Sequence, residues 1–474
     1  MTRPNADNVP NASEGSALFG HSARELADFD RDHSWHPFTP MTEYLESDPV
    51  MIVRGEGARL QDIGGRWYYD GVSSIWLNVH GHRHPALDAA VRAQLDRIAH
   101  STMLGQANVP ATVLARRLVE ITPEGLDRCF FSDCGAAAVE IALKIAIQYW
   151  ANEGRPEKRR ILGFTHNYHG DTMGAMAVAP DPLFHWPFLD LLPEQPRVPY
   201  PYWLRCPDGS TSEAECMDRS LERVESTFRE RGDELAACII EPVEGAGGIL
   251  PAPRGYLRAL RERCDRHDIL LIVDEVATGF GKTGTMFACE GESVRPDLLC
   301  LGKGLTGGYL PVAATMATER VFRAFLGERR RTLFHGHSFT GNQLGCAAAL
   351  ANLELMPAAL RALPPKIDRL WTRLRGLEGR PLVGDVRGRG LMAGVELMAD
   401  PVRRTPMPAE LRATRLVAGA ARERGLLVRP IGNVVIFMPP LATSLDELDA
   451  MLDALLGAFD ETLPRLVEAL GEDR

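Results

Sequence analysis

Two segments of the sequence place reactive side chains at the ends of predicted strands. In IVDEVATGFGKTG, apolar residues 269–273 run directly into Asp274, so a carboxylate lies at the carboxyl end of a buried strand, where open α/β sheets bind ligands. In LCLGKGLTGGYLP, apolar residues 298–301 lead into Lys303, which glycines flank on both sides. Burial disfavours the ammonium form of such a lysine, and the glycines let a bulky group approach the backbone. The pair predicts a lysine that bonds to the aldehyde of pyridoxal phosphate, with Asp274 facing the ring nitrogen.

Three other interpretations of these segments are weaker. Gly302-x-Gly304-x-x-Gly307 has the spacing of a dinucleotide-binding loop, but that loop must open a helix, and Pro311 among β-forming residues disfavours one. Gly281-Lys282-Thr283 resembles the end of a phosphate-binding loop, but Val276 stands where that loop needs its first glycine. A solvated loop lysine is the third alternative, and the accompanying carboxylate segment argues against it.

These side chains need a sheet that brings the strand ends together. Short apolar runs rich in β-forming residues alternate with helical patterns, which predicts a mainly parallel sheet covered by helices, and therefore the α/β class. The predicted strands cover residues 128–131, 160–164, 238–241, 269–274 and 298–301. The predicted helices cover residues 137–150, 256–267 and 342–356.

The character of the sequence changes near residue 356, which suggests a domain boundary. Short glycine-rich strands follow, and then a final helix that Ser444 and Glu447 open as a capping box. Residues 76–356 are therefore predicted to form a large domain and residues 357–474 a smaller α+β domain. Residues 26–75 are expected to pack with the small domain, and residues 1–25 to form a polar, mobile tail.

Composition excludes several classes of protein. The chain has 474 residues, of which 45% are hydrophobic, enough to build a sizeable core. A net charge of −10 disfavours a nucleic-acid binder, and no uninterrupted apolar run reaches the ~18 residues of a membrane span. The nine cysteines are odd in number and include no CxxC pair. A reduced, cytoplasmic protein is therefore expected.

The two reactive segments together resemble the class III (ω-amino acid) aminotransferases, which are pyridoxal-phosphate enzymes of fold type I. The resemblance extends from about residue 30 to about residue 460. In the family motif DExxTGFGRTG the aspartate contacts the ring nitrogen, and a later lysine binds the cofactor. The resemblance implies these roles for Asp274 and Lys303 and places Val276 under the cofactor ring. It also implies a large domain with a mainly parallel sheet plus a smaller α+β domain.

Further segments resemble one branch of this family, which aminates 8-amino-7-oxononanoate to 7,8-diaminononanoate in biotin synthesis. They are SWHPFT from Ser34, SSIWLNVHGH from Ser73, YHGDT from Tyr168, FHGHSFTGN from Phe334 and RPIGNVVIFMPP from Arg429. The combination is specific, although each segment alone would be weak. The implied partners are 8-amino-7-oxononanoate and an amino donor, with neither nucleic acid nor a membrane.

The resemblance also implies cofactor contacts for three residues. Gly135 and Ala136 match the family's phosphate-binding pair at a helix start, where free N–H groups and the helix dipole hold an anion. The family usually has a hydroxyl residue at the second position, and Ala136 has none. Tyr168 matches the aromatic residue that covers the ring, and both Tyr168 and Lys303 are expected to border the substrate.

Other matched residues concern the neighbouring subunit and the substrate. Ser338 matches a residue that reaches the phosphate from the neighbouring subunit, with Gly336 and His337 beside it. The resemblance therefore implies a homodimer with shared active sites, in which Gly336 also borders the substrate. Trp76 and Arg429 match substrate contacts, because a guanidinium can bind the carboxylate of the ketone while an indole covers its methylenes.

A metal site is an alternative that the sequence raises separately. His80, His82 and His84 alternate, and on a strand they would place imidazoles on one face. The sequence offers no evident Asp or Cys partner nearby and the family uses no metal, so none is expected. Glu244 departs from the family, which has glutamine at this position.

The identity of the amino donor is left open by the sequence. Most members of this branch use S-adenosylmethionine, while a minority use lysine. Phe38 stands where users of S-adenosylmethionine typically have tyrosine, and the missing hydroxyl favours lysine. Alternative functions are another class III aminotransferase, an aminomutase, and an inactive protein that only binds the cofactor.

Overall fold

The computed structural model describes residues 19–47 and 49–472 of the chain. Most of the predicted mobile tail, residues 1–18, lies outside the described residues. The first described helix, Ala23–His33, begins with a capping box in which Ser22 and Glu25 exchange hydrogen bonds. This arrangement satisfies N–H groups that a helix start otherwise leaves free.

A seven-stranded sheet forms the centre of the fold. In spatial order its strands are Arg128–Ser132, Ala313–Ala317, Leu298–Leu301, Leu270–Asp274, Leu235–Ile240, Arg160–Phe164 and Arg197–Val198. The last five run parallel to one another, whereas Ala313–Ala317 is antiparallel to both of its neighbours. All five predicted strands are present, with ends shifted by at most three residues. The prediction of a mainly parallel sheet in an α/β fold is confirmed.

The middle strands of this sheet are buried on both faces. In Leu270–Asp274, Leu271 and Val273 pack into one apolar cluster, while Leu270 and Ile272 pack into a second. Successive side chains of a strand point to opposite faces, so each face contributes to its own core. Helices on both sides therefore leave only the strand ends available for a ligand.

Helices cover both faces of the sheet and extend beyond it. They are Ala23–His33, Met41–Glu46, Pro85–Leu95, Val109–Ile121, Gly135–Asn152, Met173–Val178, Pro182–His185, Glu213–Arg231, Tyr256–Arg266, Glu319–Arg323, Gln343–Arg361, Leu363–Leu374, Ala413–Glu423 and Leu445–Glu472. The helix Gln343–Arg361 is long and apolar enough to cross a membrane. It packs instead against Pro85–Leu95 and Val109–Ile121 in this structure, with buried residues along its length.

Smaller sheets join the two ends of the chain. One contains Ile52–Glu56, Arg59–Asp62, Trp67–Asp70 and Leu426–Leu427, and another contains Val383–Arg389, Met392–Asp400, Val434–Phe437, Arg429–Ile431 and Thr405–Pro406. A hairpin pairs Val243–Glu244 with Leu250–Pro251. Leu426 pairs in parallel with Tyr69, so the N-terminal segment shares a sheet with the C-terminal part. The capping box of Ser444 and Glu447 is confirmed by the bonds between them. The domain limits proposed above remain predictions.

Candidate active site

A pocket of about 690 Å³ lies where the parallel strands end. That volume lies within the range typical of small-molecule sites. Seven of the residues predicted for the site line the pocket: Trp76, Gly135, Ala136, Tyr168, Asp274, Val276 and Lys303. Asp274 is the last residue of its strand, and Lys303 follows the end of the neighbouring strand. The fold therefore brings together the amine and the carboxylate that the sequence paired.

Asp274 is held in place by two hydrogen bonds. Its Oδ1 accepts the backbone N–H of Val276 at 3.0 Å, and its Oδ2 pairs with Nδ1 of His169 at 2.7 Å. Both His169 and Asp274 are almost completely buried. The sequence assigned no role to His169, although it lies in the segment YHGDT. The contact itself joins residues that are 105 positions apart, and periodicity does not reveal such a pairing.

Lys303 presents its amine to the pocket. Burial lowers the pKa of Lys303, while the nearby carboxyl groups of Glu241 and Asp274 act in the opposite direction. The Nζ atom lies 4.7 Å from the centroid of the Trp76 ring, within the range of a cation–π contact. Lys303 itself has a positive φ of 40°, a conformation that costs energy for a residue with a side chain. A shifted pKa and a strained backbone in a pocket are both typical of a reactive residue.

The start of the helix Gly135–Asn152 forms one wall of the pocket. Cys134 precedes it and makes no side-chain capping bond, so the first N–H groups are left for a ligand. A Cβ on Gly135 would lie 2.6 Å from Cγ1 of Val276, and a Cβ on Gly170 would overlap that of Ala136. Only glycines fit at these two positions. The wall is therefore a close-fitting backbone cradle that suits an anion such as a phosphate.

Tyr168 is anchored at both its ring and its backbone. Its hydroxyl donates to Asp171 Oδ2 at 2.7 Å, and its N–H donates to Glu241 Oε2 at 2.8 Å. Burial, and secondly the hydrogen bond to Asp171, raise the pKa of Tyr168, so it stays a neutral phenol. Phe38 contacts Tyr168 edge-on, with ring centroids 6.3 Å apart. Glu241, which the sequence did not single out, also lines the pocket.

Four predicted residues do not line this pocket. His337 lies beside it, with Nε2 at 3.7 Å from Asp133 Oδ1. The carbonyl of Ser338 accepts a hydrogen bond from His100, and Gly336 belongs to the same segment. Arg429 starts the strand Arg429–Ile431 and is half-buried.

Arg429 has no hydrogen-bond or ion-pair partner for its side chain among the residues that the structure describes. Burial lowers the pKa of Arg429, and its cross-strand neighbour Ile436 packs in the same apolar cluster as Trp76, with Ile431 at its edge. A half-buried guanidinium without a carboxylate is unusual, because its desolvation is not offset. The unpaired guanidinium is therefore available to an anionic group of a ligand.

The alternating histidines serve separate structural purposes. His82 pairs with Asp70 at 3.0 Å, and His84 accepts the N–H of Ala86 at the start of the next helix. His80 packs against His84 with ring centroids 5.8 Å apart, and burial lowers the pKa of His80 to about 4. Within the described residues no group of three metal-ligating side chains occurs.

Glu244 is fully buried, and burial raises its pKa to about 8. The backbone N–H of Gly247 donates to its Oε1. An un-ionised carboxyl group is similar to a glutamine side chain in shape and charge. The departure from the family at this position is therefore smaller than the sequence indicates.

Comparisons with known proteins agree with this geometry. The model of the family described as aminotransferase class-III matches residues 43–459. An adenosylmethionine-8-amino-7-oxononanoate aminotransferase from Geobacter sulfurreducens is 49% identical over 92% of this chain and 97% of its own length. The protein with the same name from Nitratidesulfovibrio vulgaris is 50% identical over 92% of this chain and 81% of its own.

Solved structures give the same result. The crystal structure of adenosylmethionine-8-amino-7-oxononanoate aminotransferase from Methanocaldococcus jannaschii has a TM-score of 0.88 at 42% identity, covering 93% of this chain and all of that one. A PLP-bound amine transaminase from an uncultivated Pseudomonas species has a TM-score of 0.87 at 36% identity, covering 91% of this chain and 99% of that one. The predicted fold type I is confirmed by these neighbours. The chain belongs to the class III aminotransferase family.

Proposed function

We propose that this protein transfers an amino group to 8-amino-7-oxononanoate and forms 7,8-diaminononanoate, a step of biotin synthesis. Relatives that are 49% and 50% identical over 92% of the chain have names that state this substrate. The single structural observation that supports it best is the unpaired, half-buried guanidinium of Arg429 beside the apolar cluster around Trp76. Such a pair suits an aliphatic ketone that ends in a carboxylate.

The pocket residues fit pyridoxal phosphate as the cofactor. The backbone cradle at Gly135 and Ala136 would bind its phosphate, Asp274 would face the ring nitrogen, and Tyr168 and Val276 would lie against the ring. When bound, the cofactor supplies an electron-withdrawing ring that makes the proton beside the donor's amino group easier to remove. The solved relative in its PLP-bound form supports this assignment.

The protein's own groups have distinct tasks in this reaction. The Asp274 carboxylate, oriented by Val276 and His169, offers the negative charge that keeps a ring nitrogen protonated. The amine of Lys303 would accept the proton that leaves the donor carbon, and burial favours the neutral amine that this task requires. Because the ketone accepts its amino group in a second, separate half-reaction, ping-pong kinetics are expected.

Arg429 and Trp76 would bind and orient the ketone. The guanidinium offers two parallel N–H donors to a carboxylate, and the indole covers methylenes that would otherwise contact water. Ile436 packs in the apolar cluster that contains Trp76, and Ile431 packs against that cluster. An aminomutase needs no external acceptor with a distant carboxylate, so the same observation disfavours that alternative.

We further propose a homodimer in which Ser338 of one subunit reaches the cofactor phosphate of the other. Several large apolar side chains around this segment are exposed on the single chain: Leu104, Val109, Phe334 and Phe339. An apolar surface of this kind is typical of a protein interface. The segment also lies next to the chain's own pocket, through His337 and Asp133.

The amino donor proposed here is S-adenosylmethionine, because that donor is in the names of the relatives. Lysine is the second candidate, and Phe38 is the observation that favours it. Its ring contacts both Tyr168 and Phe184 edge-on at the pocket and offers no hydroxyl to a donor.

Turnover with defined substrates tests this proposal. The purified protein with pyridoxal phosphate is incubated with 8-amino-7-oxononanoate and either S-adenosylmethionine or lysine, and mass spectrometry quantifies 7,8-diaminononanoate. We expect product with at least one donor and none with Lys303→Ala. The proposal is wrong if neither donor gives product while another class III substrate pair, such as putrescine with a keto acid, turns over.

A further inference from the structure

The backbone immediately before Trp76 has an uncommon left-handed conformation. Ser73, Ser74, Ile75 and Trp76 have φ values of 50°, 50°, 65° and 70°, and none of them is glycine. Left-handed residues with a side chain cost roughly 1–2 kcal/mol each, and they rarely occur in succession. Such strain persists only where the surrounding structure enforces it. Here the strained turn ends on a residue that lines the active-site pocket.

One side of this turn is held by Asp70. Its two carboxylate oxygens accept the N–H and the hydroxyl of Ser74 at 2.8 and 2.7 Å, and His82 pairs with it at 3.0 Å. Burial alone would raise the pKa of Asp70, but the hydrogen bonds from His82 and Ser74 lower it overall. The carboxylate therefore remains charged and binds the middle of the turn.

The other side of the turn is held by Lys282. In the sequence this residue stands out only because Gly281-Lys282-Thr283 resembles the end of a phosphate-binding loop. Its Nζ donates to Ser73 Oγ at 2.8 Å and to the carbonyl of Asn78 at 3.0 Å. Ser73 Oγ in turn donates to the carbonyl of Met438 at 2.6 Å. Lys282 is fully buried and makes no ion pair within the described part of the chain. One amine thus bonds the first residue of the turn and a residue just beyond its end.

The position of the Trp76 ring is sensitive to small displacements of this turn. The Lys303 Nζ lies 4.7 Å from the ring centroid. A Cβ on Gly245 would lie 2.9 Å from a ring carbon of Trp76, so the indole also packs directly against that backbone. A shift of the turn would therefore move the indole relative to the amine or into Gly245.

We propose that Lys282 is a positioning residue, which fixes the left-handed turn Ser73–Trp76 and thereby places the Trp76 indole for the ketone substrate. This inference rests on the proposed function for the identity of the ketone. Lys282 itself is not among the residues that line the pocket. Its contribution is expected in the affinity for the acceptor rather than in the rate of proton transfer.

Another lysine of this chain offers a matched control. Lys158 is also fully buried, donates to the carbonyls of Leu235 and Asp268, and lies 4.3 Å from the ring centroid of Trp150. It lies next to the amino ends of the strands Arg160–Phe164 and Leu235–Ile240, whereas the pocket lies at the carboxyl ends of the strands. Lys158→Met therefore removes a comparable buried amine without touching the turn.

Fluorine NMR of the holoenzyme labelled with 5-fluorotryptophan tests the positioning directly. Trp76→Phe identifies the resonance of Trp76 among the seven tryptophans. We expect that resonance to shift or broaden in Lys282→Met, to shift less in Lys282→Arg, and to stay unchanged in Lys158→Met. The KM for 8-amino-7-oxononanoate should rise about 10-fold in Lys282→Met, which corresponds to roughly 1.4 kcal/mol, with kcat changed less than about 3-fold.

Several outcomes would overturn the inference. An unchanged Trp76 resonance in folded Lys282→Met overturns it, and so does an equal change in Lys158→Met. If Lys282→Met does not fold, Ser73→Ala, which removes the hydroxyl that Lys282 contacts, must shift the same resonance, and no shift there refutes the role. If the wild-type protein does not turn over 8-amino-7-oxononanoate, the proposed function fails, while the resonances still decide whether Lys282 positions Trp76.

Discussion

Replacing His169 tests how the carboxylate at the base of the pocket is held. Asp274 is 4% exposed and has two partners for its side chain among the described residues, the N–H of Val276 at 3.0 Å and His169 at 2.7 Å. His169→Leu removes the shorter bond and leaves a buried carboxylate free to turn away from the ring nitrogen. A hydrogen bond to a charged group is worth about 1.5–3 kcal/mol, so affinity for pyridoxal phosphate should fall roughly 10- to 150-fold.

The dissociation constant of pyridoxal phosphate, measured by equilibrium dialysis against free cofactor, checks this expectation. His169→Gln keeps an N–H donor and should retain most of the affinity. His267→Leu is the matched control, because His267 makes a similar, partly buried pair with Glu225 at 2.9 Å and does not line the pocket. Equal affinities of wild type and folded His169→Leu would show that His169 does not orient Asp274 for the cofactor.

Three further predictions follow from the geometry. Gly135→Ala should weaken cofactor binding at least about 10-fold, since its Cβ would lie 2.6 Å from Val276, and unchanged affinity in dialysis would contradict the close-fitting cradle. Arg429→Met should raise the KM for 8-amino-7-oxononanoate about 100-fold, and an equal rise in the KM for the donor in steady-state assays would contradict its assignment to the ketone. Burial lowers the pKa of Lys282 from 10.5 to about 7, so the unfolded chain binds this proton more tightly between those pH values. The unfolding free energy of wild type relative to Lys282→Met should therefore rise with pH above 7, by at most about 1.4 kcal/mol per pH unit, and a flat difference in urea unfolding would contradict a buried amine.

The alternation of apolar runs and helical patterns was sufficient to predict the parallel part of the central sheet. Strands such as Leu298–Leu301 are buried on both faces, and their continuous apolar runs are visible in the sequence. The strand Ala313–Ala317 was missed, because AATMA contains little of the β-branched and aromatic character that marks a strand. Its position comes from pairing with Arg128–Ser132 and Leu298–Leu301, which is a tertiary effect.

The site residues were predictable where a reactive side chain directly follows an apolar run that forms a strand. Asp274 and Lys303 each follow an apolar run, so their convergence follows from parallel strands alone. His169 and Lys282 were not predictable in the same way, since each acts through a contact with a distant segment. The left-handed turn Ser73–Trp76 was also invisible, because neither serine, isoleucine nor tryptophan favours positive φ. Strain of this kind is imposed by the fold rather than by local sequence.

The electrostatics of the site also depend on burial, which sequence alone does not quantify. Glu241 is buried near Glu244, and burial first and Glu244 second raise its pKa. Asp274 accepts two hydrogen bonds, one from the backbone N–H of Val276 and one from the imidazole of His169. Four carboxyl groups line the pocket, those of Asp133, Asp171, Glu241 and Asp274. Among the described residues, Asp274 is the one of these four that is oriented by both a backbone N–H and an imidazole.

We expect the amine of Lys303 to bond to the aldehyde of pyridoxal phosphate. The chain contains only five lysines, at positions 144, 158, 282, 303 and 366, so the site of attachment can be mapped without ambiguity. Borohydride reduction of the holoprotein, followed by peptide mass spectrometry, should place the cofactor's mass on the peptide that contains Lys303 and leave the other four unmodified. A label on another lysine, or no label on a protein saturated with the cofactor, would contradict attachment through Lys303.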